Sequence, residues 1–251
     1  MKAPSQVAKQ AEDHPTLPPG PGERLVGYGV LGLPFASGHV LGLRRWTASS
    51  IGAGFTSVWH RDPAGRWTFY ESAGAEAACT RYFGDEADQV YVERIDLAWT
   101  GERQLRVRTV DNGHVDWSIE LGATPMTRLM SLTGAGLPMR AWQSTRVLGA
   151  LGLAAGRVLR VGTVRLTGET SNGQQFDANP LKIWSVTASH AAIDGEDLGP
   201  VGPLAEQAHL ADFYFPQRGI FAVGRIFVTP RSGTTTSTAT IGRSRETGRT
   251  I

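Results

Sequence analysis

A chain of 251 residues with 41% hydrophobic residues, a formal charge of +2 and one cysteine has room for one large domain or two small ones. Cys79 has no partner for an intramolecular disulfide or a thiolate metal cluster. No segment approaches the ~18 apolar residues of a membrane span, and the N-terminus lacks the apolar region of a secretory signal, so a soluble cytoplasmic protein is expected.

The charge is uneven. Arg231, Arg243, Arg245 and Arg249 against Glu246 make the C-terminal end basic, residues 1–24 balance, and the body between them is left at −1. A near-neutral body argues against nucleic acid, because phosphate binding needs a concentrated basic face. Only Lys2, Lys9 and Lys182 among 25 basic residues are lysines, a bias expected of a GC-rich bacterial genome. Residues 1–24, with the run Pro15 to Gly22, and residues 230–251, rich in Ser, Thr and Arg, read as disordered tails because they offer little apolar surface to offset chain entropy. The body, 25–229, reads as a single β domain.

Gly27-Tyr28-Gly29-Val30-Leu31-Gly32 matches the dinucleotide fingerprint by letters. Leu33-Pro34 follows where a helix should run, so the segment reads as a glycine-rich entry loop, and no cofactor is expected. His39–Thr47 and Gly54–His60 read as the first two strands. Asp62-Pro63-Ala64-Gly65 makes a turn, and Arg66–Glu71 returns as a third. From Gln89 to Leu121 apolar and polar residues alternate three times, the period of strands with one dry and one wet face. Asp111-Asn112-Gly113 joins the last two of these as a tight hairpin.

Thr124-Pro125 opens a helical insertion, residues 124–156, with a second helix candidate over Ala141–Ala155 and Gly156 as its C-terminal stop. Strands resume at Val161–Glu169, Leu181–His190 and Ile220–Val228, with an Asn172-Gly173 hairpin between the first two. The expectation is an all-β antiparallel barrel of about 8–10 strands with a helical insertion. A two-sheet β-sandwich is the alternative.

Three charged residues fall in dry rows. Glu93 sits between Tyr91 and Ile95, Lys182 shares a face with Trp184 and Val186, and Arg225 with Phe221, Val223 and Phe227. Buried charges are costly unless paired, so each reads either as a rim or ion-pair residue or as a polar group facing a cavity. In the second case Glu93, with a raised pKa, is the candidate acid or base, and Lys182 or Arg225 orients a polar ligand end. Trp59, Tyr70, Tyr91 and Trp184 are candidate cavity walls. Cys79 reads as a small buried apolar residue. No histidine pair has metal-ligand spacing, so no metal is expected.

Gly65-Arg66-Trp67-Thr68-Phe69-Tyr70-Glu71 resembles the G-x-W signature of lipocalins and their calycin relatives. Beyond that motif the chain is similar to lipocalin-like bacterial proteins related to carotenoid hydratases. The resemblance implies a barrel that binds isoprenoid or other lipid-like compounds, with Arg225 on the last strand packing over Trp67. It departs from the family in having two strands before the motif and a helical insertion in mid-chain. The function expected is binding of a small hydrophobic molecule inside the barrel. The alternatives are a cofactor-independent hydratase, isomerase or cyclase using Glu93, and a protein-interaction module using the helix around Val147–Ala155.

Overall fold

The computed structural model describes residues 1–230, so the expectation for the C-terminal tail lies outside the described residues. Ten strands form the main path of one sheet: β1 (Glu23–Val30), β2 (Val40–Ser49), β3 (Phe55–Arg61), β4 (Trp67–Glu71), β5 (Gln89–Val92), β6 (Ile95–Trp99), β7 (Gln104–Thr109), β8 (Val115–Gly122), β9 (Gln175–Ile193) and β10 (Ile220–Thr229). Their spatial order is β5-β4-β3-β2-β1-β10-β9-β8-β7-β6. Every neighbouring pair is antiparallel except β4 and β5, which run parallel because the segment 73–88 carries the chain back between them. The architecture is a curled, antiparallel-dominated half-barrel with a helical insertion.

Glu93 and Arg94 connect the two edges of this sheet. Glu93 N–H still bonds to Glu71 O beyond β5, while Arg94 O already accepts Val110 N–H beside β6. The alternating run 89–99 is therefore two strands at opposite edges, and a two-residue step between edges requires the sheet to curl. The curl is visible in the core. Leu43, Val58 and Tyr70 from one half pack in the same cluster as Leu105, Val107 and Trp117 from the other. Only a concave face can bring them together. Trp184, Phe221 and Tyr28 fill its middle.

The convex face over β1–β4 is also apolar, with Trp46, Phe55, Trp59, Trp67 and Phe69 packed against Phe213 and Phe215 of the late loop. Trp67 rests on Phe215, with ring centroids 4.7 Å apart. Arg225 does not pack over Trp67, as the lipocalin resemblance implied. It stands opposite Val26 and Asn179 on β10, with three strands between it and β4.

Two readings of the N-terminal region change. Residues 4–13 form a helix, α1 (Pro4–Asp13), rather than a disordered tail. Val7 and Ala8 join the concave core, and Glu12 accepts from Arg45 Nε and Nη2 at 2.9 and 2.8 Å and from Tyr28 Oη at 2.9 Å. The glycine-rich segment is the strand β1 rather than a loop. Gly27 and Gly29 are required there because a Cβ at either position would fall on the backbone carbonyl of Arg45 or Leu43 in β2.

The insertion holds α2 (Pro125–Gly136), a short turn of helix Met139–Trp142, and α3 (Thr145–Leu159). Thr124 and Thr127 cap α2 reciprocally. The helix then lies along β9, where Ser131 Oγ accepts Ile183 N–H at 3.0 Å. Gly156 is not the end of α3. Together with Gly152 it lets the helix approach the carbonyls of Gly162 and Val164, and the chain leaves through Arg160 at φ 54°. No helix is long and apolar enough to cross a membrane among the described residues.

Candidate ligand channel

The middle of the concave side is filled by large side chains, with an open, mixed polar and apolar cleft of about 650 Å³ beside α1, and the most apolar chambers lie on the other side of the sheet. Three adjoining chambers run along the convex face of β1 and β10 beneath the insertion and the late loop. The first, of about 230 Å³, is walled by Met130, Leu137, Trp142, Leu151, Ala155 and Ile183. The second, of about 70 Å³, shares Leu31, Val164, Leu166, Pro180 and Pro216 with it. Gly27, Gly29, Ala222 and Gly224 line it, and the scarcity of side chains there leaves the space open. The third, of about 40 Å³, shares Arg44, Trp46, Phe213 and Ile226 with the second and is closed by Trp59, Cys79 and Tyr82.

Arg44 stands where the second and third chambers meet and is 4% exposed. Its guanidinium lies between the rings of Trp59 and Phe213, 4.6 and 4.8 Å from their centroids. Nη1 donates to Val30 O at 2.6 Å and Leu43 O at 2.9 Å, and Nη2 to Leu31 O at 3.1 Å. No carboxylate pairs with it among the described residues. Burial pulls its pKa down to about 10, so it stays a cation near neutrality.

Two polar groups on the strands beneath the second chamber lack partners. Asn179 is 1% exposed and neither its Nδ2 nor its Oδ1 is hydrogen-bonded. Arg225 Nε is buried without an acceptor, and burial lowers the pKa of this guanidinium. By strand alternation both side chains share the concave face with Val26 and Phe221, behind the chamber floor formed by Ala178, Gly224 and Ile226. At its rim Arg165 pairs with Asp212 and lies over Tyr214. Unsatisfied buried polar groups are rare enough in folded proteins that a cluster of them asks for an explanation.

A carboxyl group sits behind the third chamber. Glu71 is fully buried. Its Oε1 accepts Thr80 N–H at 3.2 Å and Thr80 Oγ1–H at 3.1 Å, and desolvation pushes its pKa up to about 8. Ser57 stands opposite Glu71 in the β3–β4 ladder and accepts Trp59 Nε1–H at 2.7 Å. Burial likewise pushes the Cys79 thiol up to about 12, which leaves it a poor nucleophile near neutrality.

The residues singled out from sequence do not form one site. Trp59 walls the third chamber, whereas Arg225 lies in the row of β10 that faces away from the second. Trp184 is core, edge-on to Phe221. Lys182 stands opposite Val223, half-buried, and lines none of the three chambers. Tyr70 and Tyr91 stack on each other at 5.6 Å and against His114 at the edge of the sheet. Glu93 lies at the edge-to-edge step, 5% exposed, with Oε2 accepting Asn112 N–H at 3.4 Å, and it borders none of the chambers.

Arg44 and Glu71 were missed, because the strands that carry them are dry on both faces and show no clean alternation. Val40, Gly42, Arg44 and Trp46 form one row of β2, and Trp67, Phe69 and Glu71 one row of β4, each a charge inside a dry row. Among the described residues, no group of three or more His, Cys, Asp or Glu side chains could hold a metal ion. His39 Nδ1 and His60 Nε2, 2.8 Å apart, have no third ligand.

No family model matches the chain, and no curated protein matches it. Among solved structures it is similar to the crystal structure of acetoacetate decarboxylase from Legionella pneumophila subsp. pneumophila. The TM-score is 0.38 at 10% identity, over 84% of this chain and 86% of that one. A likeness at that level transfers neither fold nor chemistry.

Proposed function

We propose that this protein binds a lipid- or isoprenoid-like molecule in the channel on the convex face. Its apolar body fills the first chamber and its electronegative head enters the second, toward Arg44. The observation that carries this reading is Arg44, a buried cation without a counter-charge at the junction of two cavities. A core that merely fills space is served better by an apolar side chain, because desolvating a guanidinium is costly. A ligand carboxylate or similar group gains from a cation held in a water-poor site.

The test is a binding titration with a fluorescent polyene fatty acid and the corresponding alcohol. The acid should bind more tightly than the alcohol, and Arg44→Met should remove that preference while leaving the alcohol's affinity in place. Ala155→Phe, which fills the first chamber, should abolish binding of both. If the filled variant binds as well as the parent, the site is elsewhere and the reading fails.

Glu71 supports a second reading, in which the bound molecule is also turned over. It is the buried carboxyl joined to the channel wall through Ser57 and Trp59, and a raised pKa suits a group that holds a proton near neutrality. It replaces Glu93 as the acid to test. Glu71→Gln with unchanged probe affinity and abolished turnover of a bound substrate would establish it. Unchanged turnover would leave a binder.

A further inference from the structure

Residues 124–160 contain five arginines, Arg128, Arg140, Arg146, Arg157 and Arg160, and none of the chain's 23 acidic residues. All five are exposed, and none is paired with a carboxylate among the described residues. The same segment holds five of the nine exposed large hydrophobic residues described: Met126, Leu129, Leu132, Leu153 and Val158. Met126, Leu129 and Val158 also line the first chamber, so they form its lips between α2 and α3. Leu132 and Leu153 lie outside the chamber and are 73% and 62% exposed. The apolar lining of the cavity therefore continues onto the surface of the insertion, the same segment that carries the five unpaired arginines.

We infer that this face docks on an anionic lipid surface, with the mouth of the chamber turned toward the bilayer. Exposed leucines and methionine on helices with basic flanks have the chemistry of an interfacial anchor, in which apolar side chains enter the headgroup boundary and arginines meet anionic lipids. A second copy of the chain is a poor occupant, since a symmetric contact would place five arginines against five more. The docking stands on the surface residues alone. Its use, passing an apolar molecule between bilayer and chamber without exposure to water, rests on the proposed function.

The experiment is sedimentation of the full-length protein with vesicles of phosphatidylcholine, with and without phosphatidylglycerol, at low and high salt. Binding is expected only with the anionic vesicles and should weaken with salt. The pair Leu132→Asp and Leu153→Asp should lower vesicle affinity about tenfold or more. The set Arg128→Gln, Arg146→Gln and Arg157→Gln should do the same. None of these residues lines the chambers, so binding of the soluble fatty-acid probe and the melting temperature should stay at parental values. Absence of binding to anionic vesicles would overturn the inference. So would equal binding to neutral vesicles, or a concentration-dependent dimer that the leucine pair abolishes. The probe titration is independent of vesicles and therefore separates failure of this inference from failure of the ligand site.

Discussion

β7 alternates, with Leu105, Val107 and Thr109 buried and Gln104 and Arg108 exposed, whereas β3 buries Phe55 through His60 without interruption. The first strand belongs to a wall with water on one side, where Arg106 pairs with Asp116 across the outer face. The second belongs to a layer covered on both sides, by the concave core beneath and by Phe213, Phe215 and the segment 73–88 above. A strand with one dry face can carry charges on the other at little cost. A strand with two dry faces cannot, so Arg44, Glu71 and His60 had to be built into the interior. They are the residues around which chemistry can be organised.

The comparison can be broken most severely at the backbone of the doubly covered half. Gly29→Ala places a methyl group on the Leu43 carbonyl and should cost on the order of 4 kcal/mol or more. It would be read as loss of soluble protein or a collapsed denaturation midpoint. A parental midpoint would mean that β1 and β2 are not so closely set. Trp59→Ala removes a ring shared by Phe69, Phe83, Phe215 and Arg44 and should cost about 3–5 kcal/mol in urea unfolding.

Buried titratable groups in this half also set a pH dependence. Glu71 has a folded pKa raised to about 8 from 4.5. The folded state therefore holds a proton that the unfolded state has released, and stability falls as pH rises through that window. Glu71→Gln should abolish this alkaline decline, a gain on the order of a few kcal/mol at the upper end. A parental slope in the variant would assign the decline to another group. His60 works in the opposite direction. Burial, and then His39 beside it, lower its pKa from 6.5 to about 4, so its contribution is present above 6.5 and lost as pH falls toward 4, on the order of 3 kcal/mol. His60→Gln should flatten the acid limb of the stability profile. The smallest effect belongs to the wet face, where Arg106→Ala should leave the melting temperature within measurement error, because an exposed ion pair adds little.

These differences also explain which residues were legible. Where one face is dry, the alternation at 104–109 and 115–121 and the Asn112-Gly113 turn encode the strands and their hairpin directly. Where both faces are dry, the period-2 signal disappears. β1, with glycines at 27 and 29, resembled a loop, and Arg44 and Glu71 passed as ordinary strand residues. Glu93 was conspicuous because it interrupts a clean alternation. The interruption marks the step between sheet edges, and no chamber opens beside it.

By itself the sequence determined the mostly-β composition, the antiparallel hairpins and the helical insertion, because local periodicity, turn chemistry and caps act over a few residues. Tertiary structure alone decided that the middle of the curl is filled and that the most apolar chambers lie on its convex side. It also decided that residues 4–13 are ordered, since Val7 and Ala8 gain a core and Glu12 gains Arg45 and Tyr28 only when strands distant in sequence come together. A dry row says that a side chain leaves water. Whether it meets another side chain or an empty chamber depends on what the rest of the chain lays over it.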